Sequence, residues 1–247
     1  MDAPEKRSII SGIGISRIGR RTGIPGLDLT VESSLAAIAD AGLTPADIDG
    51  VVTLGDTPIS QAAPALGIDP QVPVGGFDTG GLLSPVMSAF LTVAEGRARH
   101  VLVYRTVQMM GGEFIPDQNA SDEEKAGLRR AMGGMEPLLA AQAFSAVNWL
   151  GMHCQRHMHL YGTTKEQLGW LAINSRRNAA LNPLAVYREP MTMDGYLGAR
   201  PVSSPFGLFD CDVPVDGSIA VVVSAADHAD ACPNRPIRVE AIGGSDG

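Results

Sequence analysis

The sequence predicts an α/β fold in which a parallel or mixed sheet is covered by helices on both faces. Short apolar runs alternate with helical patterns through the first part of the chain, and this order is typical of such sheets. The run Val101–Tyr104 has no polar face, which indicates a strand that is buried on both sides. With 247 residues, 45% of them apolar, the chain can form a core in one large or two small domains.

The first strand and the first helix follow from the spacing of apolar residues. Ser8–Ile15 is an apolar run that ends in a glycine-containing turn, and we predict that it forms a strand. Asp28 is expected to cap a helix in which Val31, Leu35 and Ile38 share one face. The chain therefore opens as strand, loop and helix.

Three short segments and another helix come next. The segments are a predicted strand, a weak helix and an apolar stretch: Val51–Leu54, Pro64–Ile68 and Val72–Val74. A glycine-rich turn from Gly75 to Gly81 then leads into a helix at Pro85, which Gly96 ends.

A helical insert then interrupts the α/β pattern. Regular patterning is lost between Thr106 and Met135, and a helix is predicted from Pro137 to His159. A capping box at Thr163-x-x-Glu166 starts another helix, which ends at Asn182-Pro183.

The chain returns to the α/β pattern after the insert. Val215-Asp216-Gly217 is a tight-turn signal that feeds the strand Ile219–Val223, and Pro236–Ile242 is a further strand candidate. We therefore predict two domains, an α/β domain and a helical loop domain, which occupy 1–105 with 209–247 and 106–208, respectively.

Composition and charge disfavour several classes of protein. Lys and Arg number 19 against 27 Asp and Glu, a formal charge of −8, so nucleic acid is not an expected partner. No apolar run approaches the roughly 18 residues that span a bilayer, and the first residues lack the apolar core of a signal peptide. Three scattered cysteines form neither a disulfide framework nor a metal-type spacing. We expect a cytoplasmic protein.

The glycines of Gly12-Ile13-Gly14 and Gly19 have two interpretations. They can belong to a dinucleotide-binding turn, but the spacing departs from G-x-G-x-x-G and no helix begins directly behind it. The pattern favours the alternative, a bend between a strand and a loop.

The glycine-rich turn before Pro85 is the main candidate binding site. Backbone N–H groups at a helix start can hold an anion or a thioester oxygen. The residues predicted to contact the substrate there are Asp78, Thr79, Gly80, Gly81 and Leu83. Ser84 is either a nucleophile without a nearby histidine or a hydroxyl that caps the helix. Tyr104 and Arg105 end a buried strand and are expected to line the same pocket, with Tyr104 and Ser84 as the catalytic residues.

The histidines of the insert and Cys211 also have alternative roles. His153 and His157 are spaced to share a helix face, either as metal ligands or for hydrogen bonding. The Glu of an H-E-x-x-H motif is missing, so we predict no metal site. Cys211 lies between two aspartates that raise the pKa of its thiol, which favours a structural role.

Several segments together resemble the sterol-carrier-protein-type thiolases, which are often described as lipid-transfer proteins. The segments are RHMHLYGTTKEQLGWLAINSRRNAALNP at 156–183, the P-x-T of Pro190–Thr192, LFDCDVPVDGSIAVVV at 208–223, the opening IISGIGISRIGRR and the short helix segment Val93–Arg97. The resemblance extends over essentially the whole chain.

This resemblance implies a thiolase-like layered αβαβα fold of two similar halves, with a loop domain inserted in the first half and dimers that pack through the first-half sheets. It also implies acyl-CoA substrates, with coenzyme A as part of the substrate and no other cofactor. The loop domain is then expected to contact coenzyme A through His153 and through arginines that bind phosphate. The candidate arginines are Arg176, Arg177, Arg188 and Arg200.

Leu83 stands where the resemblance places the acylated cysteine of a thiolase. Leucine cannot form a thioester, so cysteine-based thiolysis is not expected. The residues that handle the substrate α-proton belong to a second half of the family pattern, beyond the part that this chain matches. We expect an exposed apolar face where that half packs, covered by a homodimer contact or by a partner subunit.

The thiolase-like aldolases of bacterial steroid side-chain degradation resemble this chain more than the thiolases do. They cleave a β-hydroxyacyl-CoA by retro-aldol chemistry without a cysteine nucleophile, together with a zinc-ribbon and OB-fold partner of the DUF35 type. The predicted function is therefore C–C bond cleavage in a β-hydroxyacyl-CoA such as a steroid side chain. The alternatives are a catalytically silent scaffold or acyl-CoA-binding subunit, and an acyltransferase of the thiolase type.

Overall fold

A computed structural model describes residues 4–54, 57–75, 82–109, 136–143 and 145–242 of the chain. The chain divides into two compact units. Met1–Ala131 and Val215–Gly247 form unit 1, and Met132–Pro214 form unit 2. None of the described helices combines the length and the apolar character that crossing a bilayer requires.

The regular elements have the following bounds. The strands are β1 Ser8–Ile15, β2 Gly50–Thr53, β3 Val72–Gly75, β4 His100–Gln108, β5 Pro201–Ser203, β6 Phe206–Gly207, β7 Asp216–Ala225 and β8 Ile237–Arg238. The helices are α1 Gly26–Asp40, α2 Ile59–Leu66, α3 Ser84–Ala94, α4 Glu136–Ala140, α5 Ala146–Tyr161, α6 Lys165–Leu181 and α7 Met193–Leu197. All of α4 to α7, with the β5–β6 hairpin, lie in unit 2.

Unit 1 contains a mixed sheet in the order β3-β2-β4-β7-β1-β8. β2 pairs in parallel with β3 and β4, whereas β7 pairs antiparallel with β4 and with β1, and β8 pairs antiparallel with β1. The prediction of a parallel or mixed α/β sheet is confirmed.

Both faces of this sheet are covered by helices. Leu102 and Tyr104 of β4 pack in one apolar cluster with α1 and α2, and Val101 and Val103 pack in another with α3. Successive side chains of a strand point to opposite faces, so a strand between two helical layers has no polar face. The apolar run in the sequence therefore identified the central strand correctly.

Some of the other predicted elements are confirmed and several need correction. Ser8–Ile15 forms β1 at its predicted bounds, and Gly96, with a φ of 71°, follows the end of α3. The turn predicted at Val215–Gly217 is wrong in part, because Asp216 already begins β7. The strand candidate Pro236–Ile242 is reduced to the two residues of β8.

The continuous helix predicted from Pro137 to His159 is wrong, because α4 and α5 are separate helices. Gln142, between them, has a φ of 60°, in the left-handed region that interrupts a right-handed helix. Ser145 then starts α5 in a capping box with Asn148. The box that starts α6 is formed by Thr164 and Gln167, one residue beyond the predicted pair.

α1 buries the predicted apolar face only in part: Ile38 is buried and Val31 packs against the same apolar cluster. Pro25, and not Asp28, occupies its N-cap position, and the Leu35 side chain is 42% exposed. The buried side of the helix consists mostly of small residues, several with hydroxyl groups: Gly26, Leu29, Thr30, Ser33, Ser34, Ala37 and Ile38. Apolar periodicity does not identify this face fully, because three of its seven residues carry hydroxyl groups.

Two glycines of β1 allow α1 to lie very close to the sheet. A Cβ atom at Gly12 would lie 2.2 Å from the carbonyl oxygen of Ala37, and one at Gly14 would lie 2.0 Å from that of Ser33. Both glycines are within β1, so their interpretation as a bend is wrong. Their role in this structure is the contact between strand and helix.

His100 and His228 form a buried pair at the start of β4. Their rings are edge to face with centroids 4.8 Å apart. Nδ1 of His100 lies 2.8 Å from Oγ of Ser224, and Nε2 of His228 lies 3.2 Å from the carbonyl oxygen of Ala41. Burial, followed by the influence of His228 and Arg99, lowers the pKa of His100 below its usual 6.5. The carboxylates that oppose this shift are those of Asp49 and Asp47.

Unit 2 is organised around the carboxylate of Asp210. It accepts hydrogen bonds from Nζ of Lys165, from the hydroxyl of Tyr196 at 2.5 Å and from the backbone N–H of Gly207 at 2.6 Å. Lys165 also lies over the Tyr196 ring, 4.8 Å from its centroid. Burial acts to raise the pKa of Asp210, but these hydrogen bonds outweigh burial and lower it. The carboxylate therefore joins α6, α7 and the β5–β6 hairpin.

Replacing Gly14 with alanine is expected to destabilise unit 1 strongly. The new methyl group overlaps the α1 backbone, so the helix must move away from the sheet, at a cost of roughly 1–3 kcal/mol. Urea unfolding of Gly14→Ala measures the loss, with Ala39→Ser on the exposed side of α1 as the control. Equal stability of the two variants would contradict the packing role of Gly14.

The depressed pKa of His100 predicts that the protein loses stability in mild acid. The unfolded chain takes up a proton near pH 6.5, before folded His100 does, so this contribution is complete above that pH and declines as the pH falls. Urea unfolding between pH 8 and pH 5 should show a smaller decline for His100→Asn, whose amide can still bond Ser224. Identical pH profiles for the two proteins would exclude His100 as the source.

Candidate functional site

One edge of the unit 1 sheet is the candidate site. The strand pairings place the carboxyl ends of β1, β2 and β4 at this edge, together with the amino end of β7. Ligands of open α/β sheets bind outside the carboxyl ends of parallel strands. The loops and helix starts at this edge therefore determine what the unit can bind.

Hydroxyl side chains from several elements form a buried cluster beneath the edge, here called the hydroxyl cluster. Oγ1 of Thr30 lies 2.5 Å from Oγ1 of Thr106 and 2.9 Å from Oγ1 of Thr57. Oγ of Ser218 lies 2.9 Å from Oγ1 of Thr106 and 2.7 Å from Oγ of Ser33. None of these side chains is more than 3% exposed. The cluster thus bonds the start of α1 to the ends of β4 and β7.

The hydroxyl cluster is not evident in the sequence, because its members come from separate parts of the chain. The only local signal is the spacing of Thr30 and Ser33, which places two hydroxyl groups on one side of α1. Nothing in the sequence shows that Thr106 and Ser218 lie opposite them, since that depends on the register of β4 against β7.

Asp216 holds the loop that precedes α1. Its buried carboxylate accepts hydrogen bonds from the backbone N–H of Thr22 at 3.0 Å and from the Thr22 hydroxyl at 3.2 Å. The backbones of Asp216 and Gly19 pair as an isolated bridge. The residue predicted as part of a turn therefore fixes a loop at the candidate site.

Tyr104 is buried, and it does not share a pocket with Arg105. Its side chain is 1% exposed and packs among the residues under α1 and α2, where its hydroxyl donates to the carbonyl oxygen of Thr57 at 2.9 Å. Burial raises the pKa of this hydroxyl. Arg105, the next residue of the strand, is exposed and belongs to the opposite face. The expectation that both line one pocket is wrong, and the catalytic role of Tyr104 stays a prediction.

Leu83 and Ser84 lie at the start of α3. Leu83 occupies the N-cap position, makes no capping hydrogen bond and is 73% exposed. Ser84 is the first residue of the helix, so its interpretation as the capping hydroxyl is wrong. The other turn residues predicted to bind substrate, Asp78, Thr79, Gly80 and Gly81, lie outside the described residues.

The α3 face of the sheet exposes apolar side chains near the same edge. Ile15 pairs with Ile219, Ile13 lies two residues before Ile15, and all three side chains are between 42% and 55% exposed. Arg105 pairs with Ile219 from the other side. The sequence predicts an exposed apolar face where the second half of the family pattern packs, and these three isoleucines are candidates for it.

Two of the arginines predicted to contact phosphate are engaged within unit 2. The Arg176 guanidinium lies 5.5 Å from the ring centroid of Tyr187 and donates to the carbonyl oxygen of Glu189 at 3.3 Å. Arg188 donates to the carbonyl oxygen of Ala180, near the end of α6, at 3.2 Å. These bonds hold the segment that follows α6 against the helix.

The remaining candidates of unit 2 are exposed. Arg177 donates to Oδ1 of Asn174 at 2.8 Å, and Arg200 and His153 lie at the surface. Nε2 of His157 lies 2.8 Å from the Thr163 hydroxyl. In the part of the chain that the structure describes, no three His, Cys, Asp or Glu side chains come together as metal ligands would.

The pKa of the Cys211 thiol is raised, as the sequence predicted, although the larger cause is burial. The carboxylates of Asp210 and Asp212 add to the effect. A thiol with a raised pKa is a poor nucleophile at neutral pH, which agrees with a structural role.

Comparison with known proteins shows clear similarity to aldolases. The chain is 33% identical over 236 residues to "Steroid side-chain-cleaving aldolase" of Thermomonospora curvata, covering 92% of this chain and 59% of that protein. It is 31% identical over 246 residues to "17-hydroxy-3-oxo-4-pregnene-20-carboxyl-CoA lyase" of Mycobacterium tuberculosis, covering 95% and 62%. No protein-family profile matches the chain.

Solved structures show the same fold. "Ltp2-ChsH2(DUF35) aldolase" superposes with a TM-score of 0.79 at 32% identity, covering 94% of this chain and 59% of that one. A monomeric SCP2-thiolase-like protein from Mycobacterium smegmatis superposes with a TM-score of 0.63 at 15% identity, covering 94% and 48%. The fold is thus the thiolase-like α/β fold, and the chain spans about three-fifths of the length of its curated relatives.

Replacing Tyr104 with phenylalanine separates a structural role from a catalytic one. The structure predicts the loss of one buried hydrogen bond to Thr57, and hence about 1 kcal/mol of stability, without a change in turnover by folded protein. Unfolding and initial rates are measured on the same preparation. A fall in kcat of about a hundredfold or more would assign acid–base catalysis to Tyr104 instead.

Proposed function

We propose that the chain belongs to the thiolase superfamily, on the sterol-carrier-protein-type branch that includes the steroid side-chain-cleaving aldolases, and that it acts on acyl-CoA thioesters. The proposed reaction is retro-aldol cleavage of a C–C bond in a β-hydroxyacyl-CoA, such as a steroid side chain. The relatives named as aldolase and as acyl-CoA lyase support this assignment.

The observation that carries the proposal is the exposed leucine at the start of α3. A thiolase would need its acylated cysteine at this helix start, and Leu83 presents an inert side chain there. Retro-aldol cleavage does not need a nucleophile at this position. A branched apolar side chain at the helix start suits contact with a hydrophobic acyl group.

The proposed reaction balances without an external oxidant or reductant. A base takes the proton of the β-hydroxyl group, the bond between Cα and Cβ breaks, and its electron pair moves into the thioester enolate. Backbone N–H groups at the start of α3 would stabilise the enolate oxygen, and protonation at Cα completes the reaction. The products are a ketone and a shortened acyl-CoA. Ser84 stays the candidate polar side chain at this helix start.

We further propose that a second polypeptide covers the exposed isoleucines of the sheet. Ile13, Ile15 and Ile219 form neighbouring apolar positions on one face, which favours contact with protein rather than with water. A homodimer and a zinc-ribbon and OB-fold protein of the DUF35 type are the proposed partners. The structure titled "Ltp2-ChsH2(DUF35) aldolase" supports the second choice.

The direct test is cleavage of 17-hydroxy-3-oxo-4-pregnene-20-carboxyl-CoA by the purified chain, alone and with a DUF35-type protein. We expect a 17-ketone and a shortened acyl-CoA to form together in equal amounts, without added free coenzyme A. Leu83→Arg should lower kcat/KM by about tenfold or more, because it brings a charge against an apolar acyl group. Leu35→Arg, on the exposed side of α1, is the matched control and should keep its activity.

Other outcomes of this assay identify the alternatives. Binding of the acyl-CoA without cleavage, both by the chain alone and with the DUF35-type protein, would make the chain an acyl-CoA-binding subunit. The burial of Tyr104 favours this role, because a buried hydroxyl does not reach a substrate. Cleavage that requires free coenzyme A would indicate thiolysis. Either result would overturn the aldolase proposal.

A further inference from the structure

His100 and His228 form a buried imidazole pair that the proposed reaction does not use. The two residues are 6% and 9% exposed, and their rings meet edge to face. His100 begins β4, inside the sheet, whereas His228 belongs to the short 3₁₀ helix Ala226–Ala231 that follows β7. The pair therefore connects the sheet to the segment that runs from the end of β7 to the end of β8, here called the 226–238 segment.

Side-chain contacts attach the 226–238 segment to the rest of unit 1. Nε2 of His228 donates to the carbonyl oxygen of Ala41, which follows α1, at 3.2 Å. An exposed ion pair joins Arg99 to Asp227, with a nitrogen–oxygen distance of 3.0 Å. Exposed ion pairs contribute little to stability, so the attachment depends largely on the buried histidine contact.

Further contacts of the segment lie near and within β8. Nδ2 of Asn234 donates to Oδ1 of Asp40 at 2.7 Å, and β8 pairs with β1 through two residues. Directly after β8, Val239 and Ile242 are partly buried against the apolar cluster under α3. A segment with such short pairing can open locally while the sheet stays folded. Its opening would uncover the part of the cluster that Val239 and Ile242 cover.

The charged groups around His100 determine how the pair responds to a proton. Burial, His228 and Arg99 all disfavour a charge on His100, whereas the carboxylates of Asp49 and Asp47 favour one. The Asp49 carboxylate already accepts hydrogen bonds from the backbone N–H groups of Arg99 and His100, at 2.7 and 2.8 Å. The first three influences outweigh the carboxylates, so the pKa of His100 is lowered.

The other elements next to the pair contribute uncharged groups or solvated carboxylates. The uncharged groups in the hydrogen bonds around the pair are Oγ of Ser224 in β7, Oγ of Ser11 in β1 and the carbonyl oxygen of Ala41. On the helix of His228 itself, Asp227 and Asp230 are exposed to water. A charge on the buried rings is therefore poorly neutralised from these sides.

We propose that the pair is an acid-sensitive contact, which holds the 226–238 segment at neutral pH and releases it in mild acid. Two imidazolium rings with centroids 4.8 Å apart repel each other, and a buried position disfavours even one charge. Moving His228 into water relieves both effects. His228 can move because it lies on a short 3₁₀ helix, whereas β4 is paired with β7 along its whole length.

The direction of the effect follows from the proton uptake of the open and closed states. In the open state the His100 ring is solvated and takes up a proton near pH 6.5, its usual pKa. In the closed state His100 takes up its proton at a lower pH. The contact is therefore complete above about pH 6.5 and weakens as the pH falls. This opening is local, and it is independent of the proposed cleavage because no substrate takes part.

Hydrogen–deuterium exchange of the full chain at pH 7.5 and pH 5.5 tests the proposal, with rates corrected for the intrinsic pH dependence of exchange. Peptides from the 226–238 segment should exchange roughly three- to tenfold faster at pH 5.5, whereas peptides from β4 and β7 should keep their rates. Carboxylates stay ionised in this range because their usual pKa values are near 4, so the response belongs to histidine.

Substitutions assign the response to the pair. In His100→Asn the amide can still bond Ser224 but takes up no proton, so the difference between the two pH values should fall below about twofold. His159→Asn removes an exposed imidazole from α5 and should keep the full response. Asp227→Asn breaks the ion pair with Arg99, and it should speed exchange of the segment equally at both pH values.

The proposal is wrong if the wild-type segment exchanges at the same corrected rate at both pH values. It is also wrong if β4 and β7 exchange as fast as the segment at pH 5.5, which would indicate unfolding of the whole unit. A folded His100→Asn variant with the full acid response would exclude the pair as its source. Unfolding curves show whether each variant is folded, and the result of the cleavage assay has no bearing on these measurements.

Discussion

Between β1 and α1, two glycines let the helix backbone approach the strand to a distance that a side chain at either position would prevent. This contact sets the depth at which α1 lies on the sheet. Where a Cβ atom on the strand would meet the helix backbone, α1 presents the small residues Ser33 and Ala37. The core of unit 1 on this face therefore combines these small residues with larger apolar side chains from α1, such as Ile38, from α2 and from the strands.

The same close approach explains the hydroxyl cluster. Short side chains such as Thr30 and Ser33 reach strand residues only when the helix is near the sheet, and here they bond Thr106 and Ser218. Buried hydroxyl groups are costly without partners, and these groups satisfy one another. The cluster fixes the ends of β4 and β7 relative to α1. The hydrogen-bonded hydroxyl cluster therefore supports the candidate site at this edge, in addition to the loops.

Unit 2 depends on charge where unit 1 depends on close packing. Asp210 accepts hydrogen bonds from Lys165, Tyr196 and Gly207. Arg176 and Arg188 donate hydrogen bonds to backbone carbonyl groups near α6. These hydrogen bonds of charged side chains connect the elements of a unit whose helices leave much of their apolar surface exposed. An arginine in such a unit is a candidate for ligand binding only after its internal bonds are known, as Arg176 and Arg188 show.

The central strand and the helical layers on both sides of it were predictable because apolar runs and glycine positions are local features of the sequence. Leu83 at a helix start was predictable for the same reason, and with the family resemblance it indicated chemistry without a cysteine nucleophile. The membership of the hydroxyl cluster was not predictable, since it depends on the register of β4 against β7.

Tyr104 and Arg105 show most clearly which features the sequence determines and which depend on tertiary packing. The sequence determined that both residues end a buried strand, and the alternation of the strand already required their side chains to point apart. Only the tertiary structure decided which of them enters the core, because α1 and α2 cover one face of the sheet at Tyr104 and α3 leaves the other face partly open. Sequence patterns record which residues avoid water, whereas the packing of distant elements determines which polar groups meet.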